Sequence, residues 1–227
     1  MMSTQVTKKK NLILASKTLS SYKIKKIIEI LDKSFPGAHC ELFHKSPYQL
    51  LVSVVLSAQT TDKMVNRVMK PIYEEGFDPQ IVLSWGEEKL LSKIRSIGLA
   101  PTKSKNIIKL TEKIIKDHAS QVPKTRKELE ALAGVGRKTA SVILGEIYKE
   151  PTLAVDTHVF RVTKRLGFHN ESQAEKAEKK LLQLIPKKYL PKAHHLFIFE
   201  GRYVCLARKP KCEICALKTL CPSKDNF

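Results

Sequence analysis

Along most of this chain, apolar residues return every three or four positions, the period of a helix with one buried face. Residues 137–148 place Ala140, Ile143, Leu144 and Ile147 at i, i+3, i+4 and i+7. Residues 173–185 repeat that stripe with Ala174, Ala177, Leu181 and Leu184, and residues 104–118 do so with Ile107, Leu110 and Ile114. Further helices are expected over 22–34 and 126–132, and from Thr157 onward, where Val159, Val162 and Leu166 share a face. Ser104 and Asp156 read as N-caps, because a short oxygen-bearing side chain can accept from the first free helix N–H groups. The run "LLVSVVL" at 50–56 would also suit a buried strand. No other segment alternates cleanly or offers a hairpin turn, so this run too is read as helix. The expectation is an all-α fold, broken at Pro36-Gly37, Gly76, Gly98 to Pro101, Pro123, Gly134 to Gly136, Pro151, Gly167 and Pro186.

One of those breaks carries chemistry. In "LAGVGRKTA" (132–140) one helix ends and the next begins at Arg137. Gly134 and Gly136 admit backbone angles that a β-carbon forbids, and they leave the backbone bare. The N–H groups opening the second helix lack intrahelical partners, and the helix dipole is positive there, so the turn suits a phosphate. A helix-ending glycine followed by a packing glycine is the plainer alternative. Charge bears on that choice: Lys+Arg number 41 against 22 Asp+Glu, a net charge of +19. Such an excess draws polyanions, nucleic acid first and an anionic membrane surface second; a well-solvated lysine-rich surface is the bland reading. Hydrophobic residues make up 42% of the 227, which is globular composition. No apolar run approaches the roughly 20 residues of a spanning helix. Residues 1 to about 18 read as a mobile basic tail whose apolar stretch is too short for a secretory signal, so a cytoplasmic monomer without membrane attachment is expected.

Four of the five cysteines, Cys205, Cys212, Cys215 and Cys221, crowd into the last 23 residues, while Cys40 stands apart as a buried or incidental thiol. In a reducing compartment such a cluster points to metal rather than disulfides. The spacing C-x6-C-x2-C-x5-C has only one close pair. Structural zinc sites usually have two, and the common bacterial ferredoxin spacing differs as well, so the spacing alone leaves the metal open.

Together, "LSAQTTD" (56–62), "LAGVGRKTA" and "VDTH" (155–158) resemble the endonuclease III family, bifunctional DNA glycosylases with a lyase activity. The resemblance runs from about residue 22 to 223, with Ala133 where the family usually has proline. It implies a helix-hairpin-helix glycosylase fold with a DNA-binding cleft between two lobes. The cysteine spacing matches that family's [4Fe-4S] pattern residue for residue, in a C-terminal loop. Lys138 is implied as the nucleophile at the sugar C1′ and Asp156 as its acid–base or charge-stabilising partner. A lysine serves as nucleophile where desolvation and nearby positive potential free its amine. The two can meet: a helix of about 12 residues travels roughly 18 Å, and the extended "KEPTLAVD" can return roughly 26 Å. By the same resemblance Gly134, Val135, Gly136 and Arg137 meet a DNA phosphate. Gln59, Leu99 and His158 point at the opened duplex, and Arg208, Lys209 and Lys211 of "LARKPK" meet the DNA backbone. Each has a plainer role: helix cap for Gln59, core for Leu99, first-turn polar residue for His158, solvated cations for the loop.

The organisation expected is a helical bundle over 40–150 carrying the hairpin and Lys138. A second lobe, 19–39 plus 151–227, would hold the cluster and supply Asp156. The implied activity is removal of oxidised pyrimidines from double-stranded DNA followed by β-elimination at the abasic site. The alternatives are an adenine-type glycosylase of the same superfamily and a non-catalytic iron–sulfur DNA-binding module. The adenine-type relatives typically lack the lysine and carry an extra C-terminal domain.

Overall fold

The structure, a computed structural model, describes residues 19–224; the basic tail expected at 1–18 lies outside the described residues. Ten α-helices follow one another: α1 (Ser21–Ser34), α2 (Pro47–Leu56), α3 (Asp62–Glu74), α4 (Pro79–Ile94), α5 (Ala100–His118), α6 (Arg126–Glu130), α7 (Arg137–Tyr148), α8 (Thr157–Arg165), α9 (Ala174–Leu184) and α10 (Leu190–Tyr203). Two 3₁₀ turns, Lys187–Tyr189 and Cys212–Ile214, complete the list, and the described residues contain no strand. The fold is all-helical.

The buried apolar residues fall into two clusters. The first runs from Leu42 to Leu144 and is built on α2, with Val65 and Met69 of α3, Leu90 and Ile94 of α4, Ile107 and Leu110 of α5, and Ile143 of α7 around it. Tyr48 through Leu56 are all buried. This explains why 50–56 shows no helical stripe: a helix covered on every side has no polar face to create one. Its buried polar groups are paired internally, as where the Tyr73 hydroxyl donates to the Gln49 carbonyl at 2.9 Å. The second cluster packs Ile24, Ile27, Ile28 and Leu31 of α1 against residues between Leu153 and Leu217, among them Val159, Val162, Leu181 and Phe197. The chain therefore leaves the second core after α1, builds the first, and returns after α7.

Ser104 is not a helix cap. α5 begins four residues earlier, with Leu99 in the N-cap position and Pro101 in the first turn. The proline that seemed to mark a break is tolerated there because a first-turn N–H has no intrahelical acceptor to lose. Ser104 is buried inside α5, and its hydroxyl donates to the Pro101 carbonyl at 2.9 Å.

Candidate active site

The hairpin is the stretch from α6 through Gly136 into α7. Gly134 has φ 77°, and a β-carbon there would stand 3.2 Å from the Asn106 side chain of α5, so angle and packing both demand glycine. Gly136 differs: its backbone is extended, and a β-carbon would meet nothing within 4 Å. It is the N-cap of α7 and offers no side-chain acceptor. Ser20, Ser46, Thr61, Asp78, Thr125 and Asp156 cap α1, α2, α3, α4, α6 and α8 with side-chain oxygens. The start of α7 is thus left bare and open, as an anion site requires. The Val135 side chain is buried in the first core, and its N–H donates to the Leu132 carbonyl at 3.1 Å. Arg137 is also committed: its guanidinium donates to the buried Glu178 of α9 at 2.6 Å, and that bond raises the arginine's pKa further.

Lys138 is the second residue of α7 and is exposed. Among the described residues its amine has no hydrogen-bond or ion-pair partner. Asp156 caps α8, its Oδ1 accepting from the Val159 N–H at 2.7 Å, and is half-buried. The two residues belong to helices of different cores. Both line one cleft of about 950 Å³, together with Gln59, Lys63, Asn66 and His158. That volume falls within the roughly 300–1,000 Å³ of small-molecule sites.

Gln59 is exposed at φ 56° and does not cap α3, whose N-cap is Thr61. Leu99 is 54% exposed at φ 61°, outside either core. His158 is half-buried in the first turn of α8, with Nδ1 3.3 Å from an Arg161 nitrogen. Arg208, Lys209 and Lys211 are all exposed. The four C-terminal cysteines line one pocket with Val162, Leu166, Val204 and Pro210. Arg165 donates to Cys205 Sγ at 3.3 Å, and Cys215 lies 3.3 Å from Glu200. Burial pushes the Cys215 thiol up to about 12 and holds Glu200 above the usual carboxylate range, against the lowering effect of its hydrogen bond with Cys215. Cys40 is half-buried against the first core, and burial pushes its thiol up to about 11.

A polar network that no motif signals also lines the cleft. Arg202 of α10 donates to Glu41 and, at 2.6 Å, to Asp62 of α3, tying the two cores together, and all three line the cleft with Lys138 and Asp156. A second tie joins His195 of α10 to Glu146 of α7 at 2.5 Å. These partners stand between 49 and 161 residues apart, so no local spacing could reveal them.

Residues 52–187 match the family model of the HhH-GPD superfamily base excision DNA repair proteins. The bare hairpin, the all-helical architecture and the cleft between two cores therefore define a helix-hairpin-helix protein of base excision repair. Within that class the match is closer still. The chain is 48% identical to endonuclease III of Rickettsia prowazekii over 86% of this chain and 92% of that one. It is 46% identical to endonuclease III of Bacillus subtilis over 87% and 92%, and 42% identical to that of Escherichia coli over 88% and 95%. A solved non-covalent endonuclease III–DNA complex superposes with a TM-score of 0.86 at 43% identity, covering 92% of this chain and 98% of that chain. A trapped covalent endonuclease III–DNA intermediate gives the same TM-score and identity, covering 92% and 99%. The chain belongs to the endonuclease III family.

Proposed function

We propose that this protein is a bifunctional base-excision enzyme. It removes oxidised pyrimidines from double-stranded DNA and cleaves the resulting abasic site through a Schiff base on Lys138. The observation that carries this is the placement of an unpartnered amine, Lys138, and a fixed carboxylate, Asp156, in one cleft from two different cores.

The bare N-terminus of α7 and the open face of Gly136 receive a backbone phosphate, which aligns the strand with Lys138. The damaged nucleotide leaves the stack and enters the cleft. Gln59, Leu99 and His158 meet the opened duplex. The Lys138 nitrogen forms a bond to C1′ as the glycosidic bond breaks, and the base leaves as an anion that takes a proton from water. Asp156 stabilises the positive charge developing on the sugar and takes the proton that the new C1′–N bond releases. It passes that proton to O4′ as the C1′–O4′ ring bond breaks, and the iminium so formed on Lys138 acidifies C2′. Loss of that proton breaks the C3′–O bond, so the strand is cut on the 3′ side and water later frees Lys138.

The four cysteines fit a [4Fe-4S] cluster. They share one largely apolar-walled pocket, and four thiols are the donor set such a cluster takes. Bound there, the cluster contributes folding free energy to the C-terminal segment, and it holds the loop of Arg208, Lys209 and Lys211 where cations can meet the DNA backbone. The enzyme acts as a monomer, and no described helix is long and apolar enough to cross a membrane.

Borohydride reduction on abasic-site DNA tests the assignment. Wild type becomes covalently attached to the DNA. Lys138→Gln loses attachment while still binding the same duplex. A wild-type chain that never attaches returns the protein to the class of non-catalytic DNA-binding modules.

A further inference from the structure

Lys103 is a lysine in the wrong place for a surface cation. It is only 4% exposed, in the first turns of α5, and no carboxylate is paired with it among the described residues. A buried charge without a counter-ion is costly, and lysine ordinarily extends its amine to water instead. Here the ammonium uses all three of its donors on one short loop. It donates to the Leu56 carbonyl at 2.7 Å, the Ala58 carbonyl at 2.6 Å and the Thr60 hydroxyl at 3.1 Å. Leu56 ends α2, so the cation also sits at the negative end of that helix dipole.

Those acceptors flank Gln59 on both sides. Gln59 itself is exposed and left-handed, φ 56°, a conformation that an L-residue holds only where its surroundings impose it. The same lysine reaches the second loop through its backbone, where the Lys103 N–H donates to the Leu99 carbonyl at 3.0 Å. Leu99 is left-handed as well, φ 61°, and exposed. The loops also lie against each other, since a β-carbon on Gly98 would stand 3.6 Å from the Thr60 hydroxyl and 3.7 Å from the Gln59 carbonyl. Two exposed left-handed residues, 40 apart in sequence, are thus linked through one residue: the Lys103 amine holds the backbone around Gln59, and its backbone N–H holds Leu99.

We propose that Lys103 is a positioning residue for duplex opening: it fuses the Gln59 and Leu99 loops into one rigid wedge. This rests on the reading, given above, that both residues meet the opened duplex. A wedge must not relax when base pairs push back, and separate exposed loops would do so. The lysine acts through Gln59 and Leu99 and touches neither the sugar nor the base.

The test uses the full-length, cluster-bearing protein with Lys103→Met, which keeps the aliphatic stem and removes the donors. Thr60→Val, which removes one acceptor, is the milder companion. Unstacking is read from the fluorescence of 2-aminopurine opposite the lesion in a duplex. Chemistry is read from borohydride trapping at an abasic site inside a preformed unpaired bubble, where no opening is needed. Lys103→Met is expected to lower the duplex signal and single-turnover duplex cleavage by about tenfold or more, as small misplacements of positioning groups do. Trapping on the bubble stays within about twofold of wild type, because Lys138 is untouched. Thr60→Val falls between. Gln59→Ala and Leu99→Ala separate the two levels of inference. If they dim the duplex signal and Lys103→Met does not, the role of Lys103 is overturned and the wedge stands. If none of the variants changes it, the wedge reading itself fails. Equal losses on duplex and bubble make Lys103 a folding residue only and overturn the proposal.

Discussion

Asp156 shows how one side chain can be both structural and chemical. Its carboxylate accepts from the Val159 N–H at 2.7 Å as the cap of α8, and it faces the cleft beside Lys138. The two roles separate by substitution. Asparagine caps as well as aspartate does, so Asp156→Asn should leave the urea unfolding midpoint nearly unchanged while slowing base release by about 10²-fold or more. Asp156→Ala should lose the activity and also about 1 kcal/mol of stability. Equal activity in Asp156→Asn and wild type would remove the carboxylate from the chemistry. His194 gives a second residue-scale expectation. Its Nδ1 is buried with no partner among the described residues, and burial, then the neighbouring His195, lowers its pKa to about 4. Asp156 and Glu146 pull weakly the other way. The unfolded chain therefore takes up the proton first. The stability contribution of the neutral ring is complete above the ordinary histidine value, about 6.5, and is lost as pH falls towards 4. His194→Gln should remove roughly 1–3 kcal/mol of that pH dependence, measured as urea midpoints across the window. The Asp156 cap is legible in sequence because it is local to α8, unlike the cap expected at Ser104. The buried ring of His194 is not, because burial is decided by what α10 packs against.

At the scale of elements, α7 joins the two cores. Its first residue, Arg137, is held by Glu178 of α9 at 2.6 Å, and Glu146 near its far end by His195 of α10 at 2.5 Å. Lys138 lies between these ties, so its position is set by both cores at once. Removing the arginine leaves a carboxylate that is only 5% exposed without its cation. Arg137→Ala should therefore destabilise by about 2 kcal/mol, less than a fully buried pair because the arginine itself is partly exposed. Glu178→Gln, which still accepts a hydrogen bond, should lose less, and thermal unfolding of both variants checks the order. The sequence marks α7 clearly through Ala140, Ile143 and Leu144. It marks α2 poorly, because that helix is buried all round and loses its stripe. It misplaces the start of α5, because a proline reads as a stop when it sits in a first turn.

The whole molecule is a strongly basic body with one cleft between two cores, and its charge and its cysteines make separate predictions. With a net charge of +19, DNA affinity should fall steeply with salt, by a log–log slope of about 0.9 for each phosphate neutralised. Replacing Lys209 or Lys211 by alanine should reduce that slope by about one each on damaged and undamaged duplex alike. An unchanged slope would leave those exposed cations as solvated surface. If the four cysteines hold the proposed cluster, Cys212→Ser should lose its visible absorbance and acid-labile sulfide and lower the unfolding temperature of the second core. Stability equal to wild type would remove the cluster's folding role. The sequence by itself determined the helices with one polar face, the bare glycine turn, the cysteine spacing and the excess of cations, because each is written in residues a few positions apart. Only the tertiary structure decided that Lys138 and Asp156 share a cleft, that Arg202 joins Glu41 and Asp62 in its lining, and that a buried Lys103 donates to three acceptors around Gln59. Those contacts join residues tens to more than a hundred positions apart, and their existence depends on how two cores pack, which no local pattern encodes.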